Sequence, residues 1–174
     1  MKGSEVMVRA LFERRSIRKY TDTPVKEKEL ETLLMAAMSA PSAGNQQTWE
    51  FIVLKNKNIM SEISKFHPHA KMLTQAQLAI VVCATPDRET RHPGYWTQDC
   101  SAATQNILIE AAHLKIGSVW IGVHPREDRV NFLRSLLNIP DNVIPFSIVS
   151  LGYPAEAKEP SKRFDRSRIH LEKW

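Results

Sequence analysis

The feature that most constrains the fold is an uninterrupted apolar run, LAIVVCA, from Leu78 to Ala84. It shows no polar alternation and is rich in β-branched side chains, as is typical of a strand buried on both faces of a sheet. It is also far shorter than the roughly 20 residues that a membrane-spanning helix needs. We therefore expect a sheet with Leu78–Ala84 at its buried centre, and a protein that does not span a membrane.

Helical and strand patterns alternate along the rest of the chain. Apolar residues between Leu30 and Met38 recur at helical spacing, and Pro41 ends that helix. Residues 95–114 predict one long buried helix that ends before Gly117, and Ser4 is a candidate cap for an N-terminal helix that includes Val6 and Met7. The predicted order is α, α, β, α, β, α, β, α, β. The other predicted strands are 49–54, 118–123 and 143–153, and the other helices lie near 59–66 and 126–138.

Length and composition favour one domain in a reducing compartment. A chain of 174 residues is near the usual size of a domain with a single core. The two cysteines, Cys83 and Cys100, have no C-x-x-C spacing, so neither a disulfide framework nor a thiol zinc site is indicated. The N-terminus has no continuous apolar centre for a secretory signal. We expect a cytoplasmic protein.

Several familiar sites are excluded by their spacing. Gly117 and Gly122 have the gap of a phosphate-binding loop, but Val123 and His124 follow where Lys and Ser or Thr are required. No two glycines are two residues apart, so no G-x-G-x-x-G motif exists. The six histidines are scattered without carboxylate or thiol partners at ligand spacing, and G-x-S-x-G is absent, which argues against a metal site and a serine hydrolase.

A cluster of cations in ERRSIRKY, residues 13–20, indicates an anionic partner. Arg14, Arg15, Arg18 and Lys19 lie within six residues beside a single acid, and the whole chain has a formal charge of +5. The cluster is either a solvated helix end or a set of guanidinium groups that grip a phosphate bidentately, with the Ser16 hydroxyl as an additional donor.

Two further segments add donors that suit a flavin. The polar loop PSAGNQQ, residues 41–47, supplies amide donors and acceptors, which match the O2, N3–H and O4 alternation at the pyrimidine edge of an isoalloxazine ring. The predicted strand SVWIG ends in a glycine, where backbone N–H groups can approach a flat ring. Cations for phosphate and the N1/O2 side, amides for the edge and backbone for N5 together form a flavin-shaped set.

These segments, in order, resemble the FMN-dependent nitroreductase family. The resemblance rests on ERRSIRKY, APSAGNQQTWEFIVL, CSAATQNILIEAAHLKIGSVWIG, LGYP and the basic tail KRFDRSRIHLEKW, and it covers nearly the whole chain. It implies an α+β fold with a central, mostly antiparallel sheet flanked by helices. It also implies an intertwined homodimer with two FMN molecules at the interface and an exchanged C-terminal tail. Residues 1–174 would form one FMN-binding domain, with 154–174 packed on the partner.

The resemblance also implies a set of FMN contacts. Side chains of the first motif would hold the phosphate, the ribityl chain and the N1/O2 side of the ring. The P-S-x-x-N loop would reach FMN from the opposite subunit, two residues at a strand end would lie beside N5, and a tail arginine would reach the phosphate. The residues are Arg14, Arg15, Ser16 and Arg18 from the first motif, Pro41, Ser42 and Asn45 from the loop, Ile121 and Gly122 from the strand, Arg163 from the tail, and Lys71 as a further ring-facing cation.

Two departures from the family's pattern are evident. Thr48 stands where many relatives have proline, and we expect this to loosen the loop and alter contacts to the ring edge. The segment RETRHPGYW, residues 88–96, matches no substrate-binding motif of the family, and Tyr95 and Trp96 have either a packing role or a role in covering the ring.

The expected activity is NAD(P)H-dependent, ping-pong, two-electron reduction of nitroaromatics, quinones or similar acceptors. No side chain is expected to act as acid or base, since the flavin and water can carry the protons. The alternatives are specialised flavin chemistry, such as dehalogenation or cleavage of the flavin itself, and an FMN carrier without turnover. A nucleic-acid-binding module is disfavoured because the basic residues are not interleaved with exposed aromatic residues.

Overall fold

The computed structural model describes residues 8–161 and 163–174. Its centre is a four-stranded sheet in which every neighbouring pair is antiparallel, with the order β1-β2-β4-β3. The strands are β1 (Trp49–Leu54), β2 (Leu78–Ala84), β3 (Gly117–Gly122) and β4 (Ile144–Gly152). This arrangement confirms the predicted α+β fold with a central antiparallel sheet.

Five helices accompany these strands within the described ranges. They are α1 (Arg9–Glu13), α2 (Glu27–Met38), α3 (Lys57–Phe66), α4 (Trp96–His113) and α5 (Glu127–Leu137). The predicted order of helices and strands is confirmed, and the predicted strands at 49–54 and 78–84 have the observed bounds. Ser4, Val6 and Met7, predicted to begin the first helix, lie outside the described residues.

The two faces of the sheet carry separate cores. On one face, side chains such as Val81 and Ile148 pack with Met60 of α3 and Leu133 of α5. On the other face, Ile80, Val82 and Val149 pack with residues of α2 and α4, among them Leu33, Ala103 and Ile107. Because both faces are covered, all seven residues of β2 are buried, which explains the absence of polar alternation in its sequence.

The two buried cysteines belong to different cores, Cys83 to the one beside α3 and α5 and Cys100 to the one beside α2 and α4. Cys83 lies on β2 and Cys100 on α4, and both are free and fully buried. Burial raises the pKa of Cys83 to about 12, so the thiol is protonated at neutral pH. Neither side chain is suited to nucleophilic chemistry, because burial raises the pKa of both thiols.

An extended segment after α1 crosses one end of the sheet. The backbone N–H of Ile17 donates to the carbonyl of Ser118 in β3 (2.9 Å), and that of Thr21 donates to the carbonyl of Tyr153 just after β4 (2.8 Å). Ser16 and Ser118 form a parallel bridge, while Tyr20 and Pro154 form an antiparallel one. We call residues 14–21 the crossing segment.

A pair of glycines makes room for the crossing segment. Gly117 of β3 faces Gly152 of β4 in the sheet register. A Cβ on Gly117 would lie 2.7 Å from Cγ2 of Ile17, and a Cβ on Gly152 would lie 3.0 Å from three atoms of Tyr20. Any larger residue at either glycine would therefore push the crossing segment away from the sheet.

Two kinds of feature are absent from the described residues. No helix among them is long and apolar enough to cross a bilayer. No group of three or more His, Cys, Asp or Glu side chains among them is arranged to hold a metal ion.

We predict that Gly117→Ala destabilises the protein by about 1–3 kcal/mol, because the added methyl group overlaps Ile17. Urea unfolding measures the effect. Gly122→Ala is the matched control at the other end of β3, where an added Cβ meets no atom within 4 Å. Equal unfolding midpoints for the two variants would contradict the proposed steric role of Gly117.

Candidate functional site

The crossing segment places the cluster of cations beside the outer edge of β3. This strand pairs with β4 on one side, and on its other side only the short bridge at Ser16 is formed among the described residues. The segment from Arg14 to Arg18 is extended rather than helical. Arg14 is the half-buried C-cap residue of α1, and its backbone N–H donates to the carbonyl of Ala10 (3.0 Å). The interpretation as a solvated helix end therefore fits the position of Arg14 but not that of Arg18, which lies beyond the helix.

A first cavity of about 500 Å³ opens where the crossing segment meets β3. We call it the arginine cavity. Its polar lining residues are Glu13, Arg14, Arg15, Lys115, Ser118, Glu156 and Lys158. The acids are already engaged, since Glu13 pairs with Arg9 (2.8 Å) and Lys115 (3.3 Å), and Glu156 lies 3.4 Å from Lys158.

The charges of the arginine cavity lack full compensation. Burial lowers the pKa of the Arg14 guanidinium, and the positive charges of Arg163 and Arg15 lower it further. The structure therefore brings the predicted tail residue Arg163 close to Arg14. Nη2 of Arg15 is buried and has no hydrogen-bond partner among the described residues. Such a cluster stabilises a bound oxyanion, which would satisfy the free donors and relieve the repulsion.

The first residues of the tail are fixed on the crossing segment. Nε of Arg15 donates to the carbonyl of Glu159 (2.7 Å), and Nζ of Lys158 donates to the carbonyl of Ser16 (2.6 Å). The backbone N–H of Arg18 donates to Oε1 of Glu156 (2.6 Å). Arg15 and the Ser16 backbone thus have structural partners within the chain in addition to their predicted role.

A second cavity of about 450 Å³ follows along the same edge of β3. We call it the edge cavity. Four of the predicted site residues line it: Arg18, Lys71, Ile121 and Gly122. It is also lined by His67, His69, Trp120 and Arg129, which the sequence analysis did not assign, and none of its described lining residues carries a carboxylate.

The backbone of β3 offers hydrogen-bonding groups to this cavity. Two carbonyls of β3 accept hydrogen bonds from groups outside the sheet. That of Ser118 accepts the backbone N–H of Ile17, and that of Gly122 accepts the side chains of His67 and Arg129. Because backbone groups alternate along an antiparallel strand, the N–H groups of Trp120 and Gly122 face the same way. A flat ring in the edge cavity can therefore receive hydrogen bonds from β3 without any side chain.

His67 anchors the end of β3 and is buried, with 2% of its surface exposed. Its Nδ1 accepts a hydrogen bond from the backbone N–H of His69 (3.1 Å), so Nε2 carries the proton and donates to the carbonyl of Gly122 (2.9 Å). Burial lowers the pKa of His67, and the hydrogen bond to Gly122 opposes this effect. The sequence alone gave no signal for this role, because His67 and Gly122 are in contact in the fold but far apart in the chain.

The predicted P-S-x-x-N loop lines a different cavity. Pro41 and Ser42 border a space of about 380 Å³ together with Tyr95, Gln98 and Asp99 at the start of α4. Asn45 is exposed with a φ of 56°, and its Oδ1 accepts a hydrogen bond from Nε2 of Gln47 (3.3 Å). The cavities at the edge of β3 contain no residue of this loop, so one chain does not bring all the predicted site residues together.

Thr48 has a tertiary contact that argues against the expected loosening of this loop. Thr48 is fully buried, and its hydroxyl lies 3.4 Å from Oδ2 of Asp99. The other carboxylate oxygen of Asp99 accepts the backbone N–H of Ala43 (3.0 Å), and the carbonyl of Thr48 accepts the N–H of Thr85 (2.7 Å). A proline in place of Thr48 could not donate to Asp99, so the threonine adds a tether.

The unassigned segment 88–96 packs on the same loop. Oε1 of Gln46 accepts the backbone N–H of Arg91 (2.8 Å). The imidazole of His92 packs against Gly44, where an added Cβ would lie only 2.8 Å from Cδ2 of His92. Gly44 also has a φ of 57°. Trp96 packs between His124 and Phe146, which favours the packing role for this residue, while Tyr95 is exposed.

Comparison with known proteins gives a consistent picture. The family model described as "Nitroreductase family" matches residues 11–72 and 64–153. An Archaeoglobus fulgidus protein named "Putative NADH dehydrogenase/NAD(P)H nitroreductase" is 49% identical over 173 residues, which is 98% of this chain and 99% of that protein. A Bacillus subtilis protein named "FMN reductase [NAD(P)H]" is 29% identical over 94% of this chain and 72% of its own length.

A solved structure has the same fold. The FMN-dependent nitroreductase of Clostridium difficile R20291 superposes with a TM-score of 0.90 and 32% identity, over 97% of this chain and 100% of that chain. The sequence, the order of secondary structure and the three-dimensional fold therefore lead to the same family.

We predict that His67 makes stability fall on mild acidification. Its pKa is lower in the folded protein than the unfolded value of about 6.5, so the folded state binds fewer protons and the free energy of unfolding decreases as pH falls below about 6.5. Urea unfolding between about pH 7.5 and pH 5.5 measures this decrease. His67→Gln keeps a donor for Gly122 and should show a shallower dependence on pH.

His69→Gln is the matched control for this experiment, since the imidazole of His69 is exposed while its backbone N–H still serves His67. Because the charge of His69 contributes to the lowered pKa of His67, this variant should reduce the pH dependence slightly, and less than His67→Gln does. A dependence that is unchanged in His67→Gln would exclude His67 as the titrating group.

Proposed function

The chain belongs to the nitroreductase family, and we propose that it is an NAD(P)H-dependent flavin oxidoreductase that holds FMN along the free edge of β3. The observation that carries the proposal is the succession of two cavities along that edge. The first is rich in guanidinium groups, and the second offers backbone donors and a carboxylate-free lining. They suit the phosphate and the ring of one FMN molecule.

The arginine cavity would take the phosphate. Arg14 and Arg15 line this cavity, and the buried Nη2 of Arg15 lacks a partner among the described residues. Ser16 and Arg163 are not part of its lining, and the proposal brings the Ser16 hydroxyl and the Arg163 guanidinium to the phosphate from beside it. Phosphate oxygens accept several charge-assisted hydrogen bonds at once, and Arg presents its donors as a planar fork. The group that fits best is therefore a phosphate.

The edge cavity would take the ring. Ile121 and Gly122 lie at the strand end whose backbone N–H groups face the cavity, and Arg18 and Lys71 bring two positive charges to it. These charges favour negative charge on a group that is bound between them. FMN held by these residues would supply the hydride chemistry for a ping-pong, two-electron reduction of a nitroaromatic, a quinone or a similar acceptor by NAD(P)H. We assign no acid or base side chain to this chemistry.

The site is completed by a second copy of the chain in this proposal. Pro41, Ser42 and Asn45 are absent from both cavities at the edge of β3, so their predicted contacts require the loop of a partner. The tail supports the same conclusion, because Phe164, Leu171 and Trp174 are 83%, 79% and 100% exposed. Exposed aromatic and aliphatic side chains at this density indicate an interface.

We therefore propose one FMN-binding domain formed by residues 1–174, with 154–174 exchanged between the subunits of a homodimer. Nucleic acid and membranes have no part in the proposed reaction. The buried free thiols of Cys83 and Cys100 suit the reducing cytoplasm.

Removal of the phosphate-end and ring-end cations tests FMN binding. We predict that Arg14→Ala combined with Arg18→Ala raises the dissociation constant of FMN at least 100-fold, since each lost charge-assisted hydrogen bond costs about 1.5–3 kcal/mol. The purified variant should be colourless where the unmodified protein is yellow. Arg126→Ala is the control, because Arg126 is exposed, lies near Asp128 (3.3 Å) and lines neither cavity at the edge of β3.

The turnover assay separates the proposed activity from its alternatives. Anaerobic NADH or NADPH should bleach the flavin, and a nitroaromatic or quinone should restore its colour. Full FMN occupancy in the double variant would overturn the assignment of Arg14 and Arg18. Stable FMN binding without any bleaching would indicate a carrier, and reoxidation only by a halogenated aromatic would indicate dehalogenation.

The tail provides a test of the dimer. We predict that Leu171→Ser combined with Trp174→Ser raises the dimer dissociation constant at least tenfold, because two large apolar side chains lose their buried contacts. Analytical ultracentrifugation over a range of concentrations measures the change. Lys173→Ala changes the residue between them and should leave the dimer intact, whereas equal dissociation constants for all three proteins would exclude the tail from the interface.

A further inference from the structure

The edge cavity contains a cation that the proposed FMN contacts leave unused. Arg129, from the first turn of α5, lines this cavity with Arg18 and Lys71. Three basic side chains therefore surround a space whose described lining has no carboxylate. A reduced flavin carries negative charge near N1, which Arg18 and Lys71 would already compensate. The third positive charge, on Arg129, is therefore available to a second anion.

The environment of Arg129 holds its guanidinium in place without neutralising it. Nη1 donates to the carbonyl of Gly122 (2.9 Å), which fixes the guanidinium at the end of β3. Nε is buried and has no hydrogen-bond partner among the described residues. No acidic side chain in the described part of the chain lies within ion-pair distance of Arg129.

Two neighbouring arginines, Arg126 at the N-cap of α5 and Arg134 within it, have more partners than Arg129, although Nε of Arg134 is also buried without a hydrogen-bond partner among the described residues. Arg126 lies 3.3 Å from Asp128, and Nη2 of Arg134 donates to the carbonyls of Asp141 (3.3 Å) and Val143 (3.1 Å). Arg126 has a counter-charge and Arg134 fixes a turn, so both have structural explanations. Arg129 has one structural bond and free donors beside a cavity.

His69 adds a polar group on the same side. Both ring nitrogens of His67 are engaged, with His69 N–H and with the carbonyl of Gly122. The imidazole of His69 is exposed, lines the edge cavity and has its ring centre 6.0 Å from that of His67. It is therefore a histidine of this turn whose ring can face a ligand.

We propose that Arg129 and His69 form a binding site for an oxyanion, a carboxylate or a phosphate, carried by the substrate that enters the edge cavity. The inference rests on the proposed function, because it concerns the molecule that reacts there. The oxyanion belongs either to the acceptor, as an aromatic carboxylate, or to the nicotinamide donor, as a dinucleotide phosphate. Both present the same chemistry to a guanidinium group.

Paired charged and neutral substrates test the proposal. The acceptor pair is 4-nitrobenzoate and its neutral analogue 4-nitrobenzamide, and the donor pair is NADH and the phosphate-free 1-benzyl-1,4-dihydronicotinamide. Arg129→Gln should lower kcat/KM at least tenfold for the charged member of one pair and less than threefold for the neutral members. A selective loss with 4-nitrobenzoate identifies an acceptor carboxylate, and a selective loss with NADH identifies the donor phosphates.

Two further variants distinguish charge from fold. Arg129→Lys keeps the positive charge and should retain most of the preference for the charged substrate, whereas Arg126→Gln, on the same helix, should behave as the unmodified protein. The carbonyl of Gly122 keeps its bond from His67 in each of them. Equal losses for charged and neutral substrates in Arg129→Gln would overturn the proposal and indicate a purely structural role.

A binding measurement provides a readout that is independent of turnover. Benzoate and phosphate are titrated separately into the oxidised yellow protein, and the flavin absorbance reports binding. We expect Arg129→Gln to raise the dissociation constant of the oxyanion that binds at least tenfold, and His69→Gln to raise it about threefold. Unchanged constants in both variants would exclude the site.

The neutral substrates distinguish a failure of the proposed oxyanion site from a failure of the proposed function. If the unmodified protein reduces 4-nitrobenzamide with 1-benzyl-1,4-dihydronicotinamide but Arg129→Gln shows no charge selectivity, the oxyanion site is excluded and the proposed function stands. If the unmodified protein binds no flavin and turns over no pair, the proposed function fails and the oxyanion site falls with it.

Discussion

The close contact between the crossing segment and the glycine pair of β3 and β4 determines where the site lies. Gly117 and Gly152 face one another in the register, and their missing side chains leave room for Ile17 and Tyr20. Because Ile17 is buried there, the residues before and after it are held along the edge of β3. Packing of one face of the crossing segment on the sheet thus positions the arginine side chains of that segment. The arginines do not need to lie on a helix or a strand to be held in place.

The sequence predicted the sheet better than the site, for physical reasons. Residues 49–54 and 78–84 form strands as predicted, because apolar runs of that length between turn residues have few alternative structures. The local density of charge in the cation cluster left two interpretations open, a solvated helix end and an anion site, and the family resemblance favoured the second. Its neighbours His67 and Arg129 were missed, since both act on the carbonyl of Gly122 and lie far from the cluster in sequence.

Thr48 shows why a departure from a family pattern cannot be interpreted from the sequence alone. Without a structure, threonine in place of proline indicates lost rigidity, because proline restricts the backbone. Its hydroxyl instead lies beside Asp99, which also accepts the N–H of Ala43. The loop is therefore restrained by a buried carboxylate from α4, and this partner lies 51 residues away in the chain.

The distribution of exposed and unpartnered groups explains why one chain carries only part of the proposed site. The crossing segment carries the residues that we propose to bind the phosphate of FMN, and β3 carries the backbone groups that we propose to bind its ring. The Pro41–Asn45 loop is equally well fixed, yet its anchor is α4 and it borders another cavity. In the proposed homodimer, the loop of one copy would meet the edge of β3 in the other copy, and the two parts of the site would come together only there. Exchange of the tail would bury its exposed apolar side chains, so the pairing that completes the proposed site would also stabilise it.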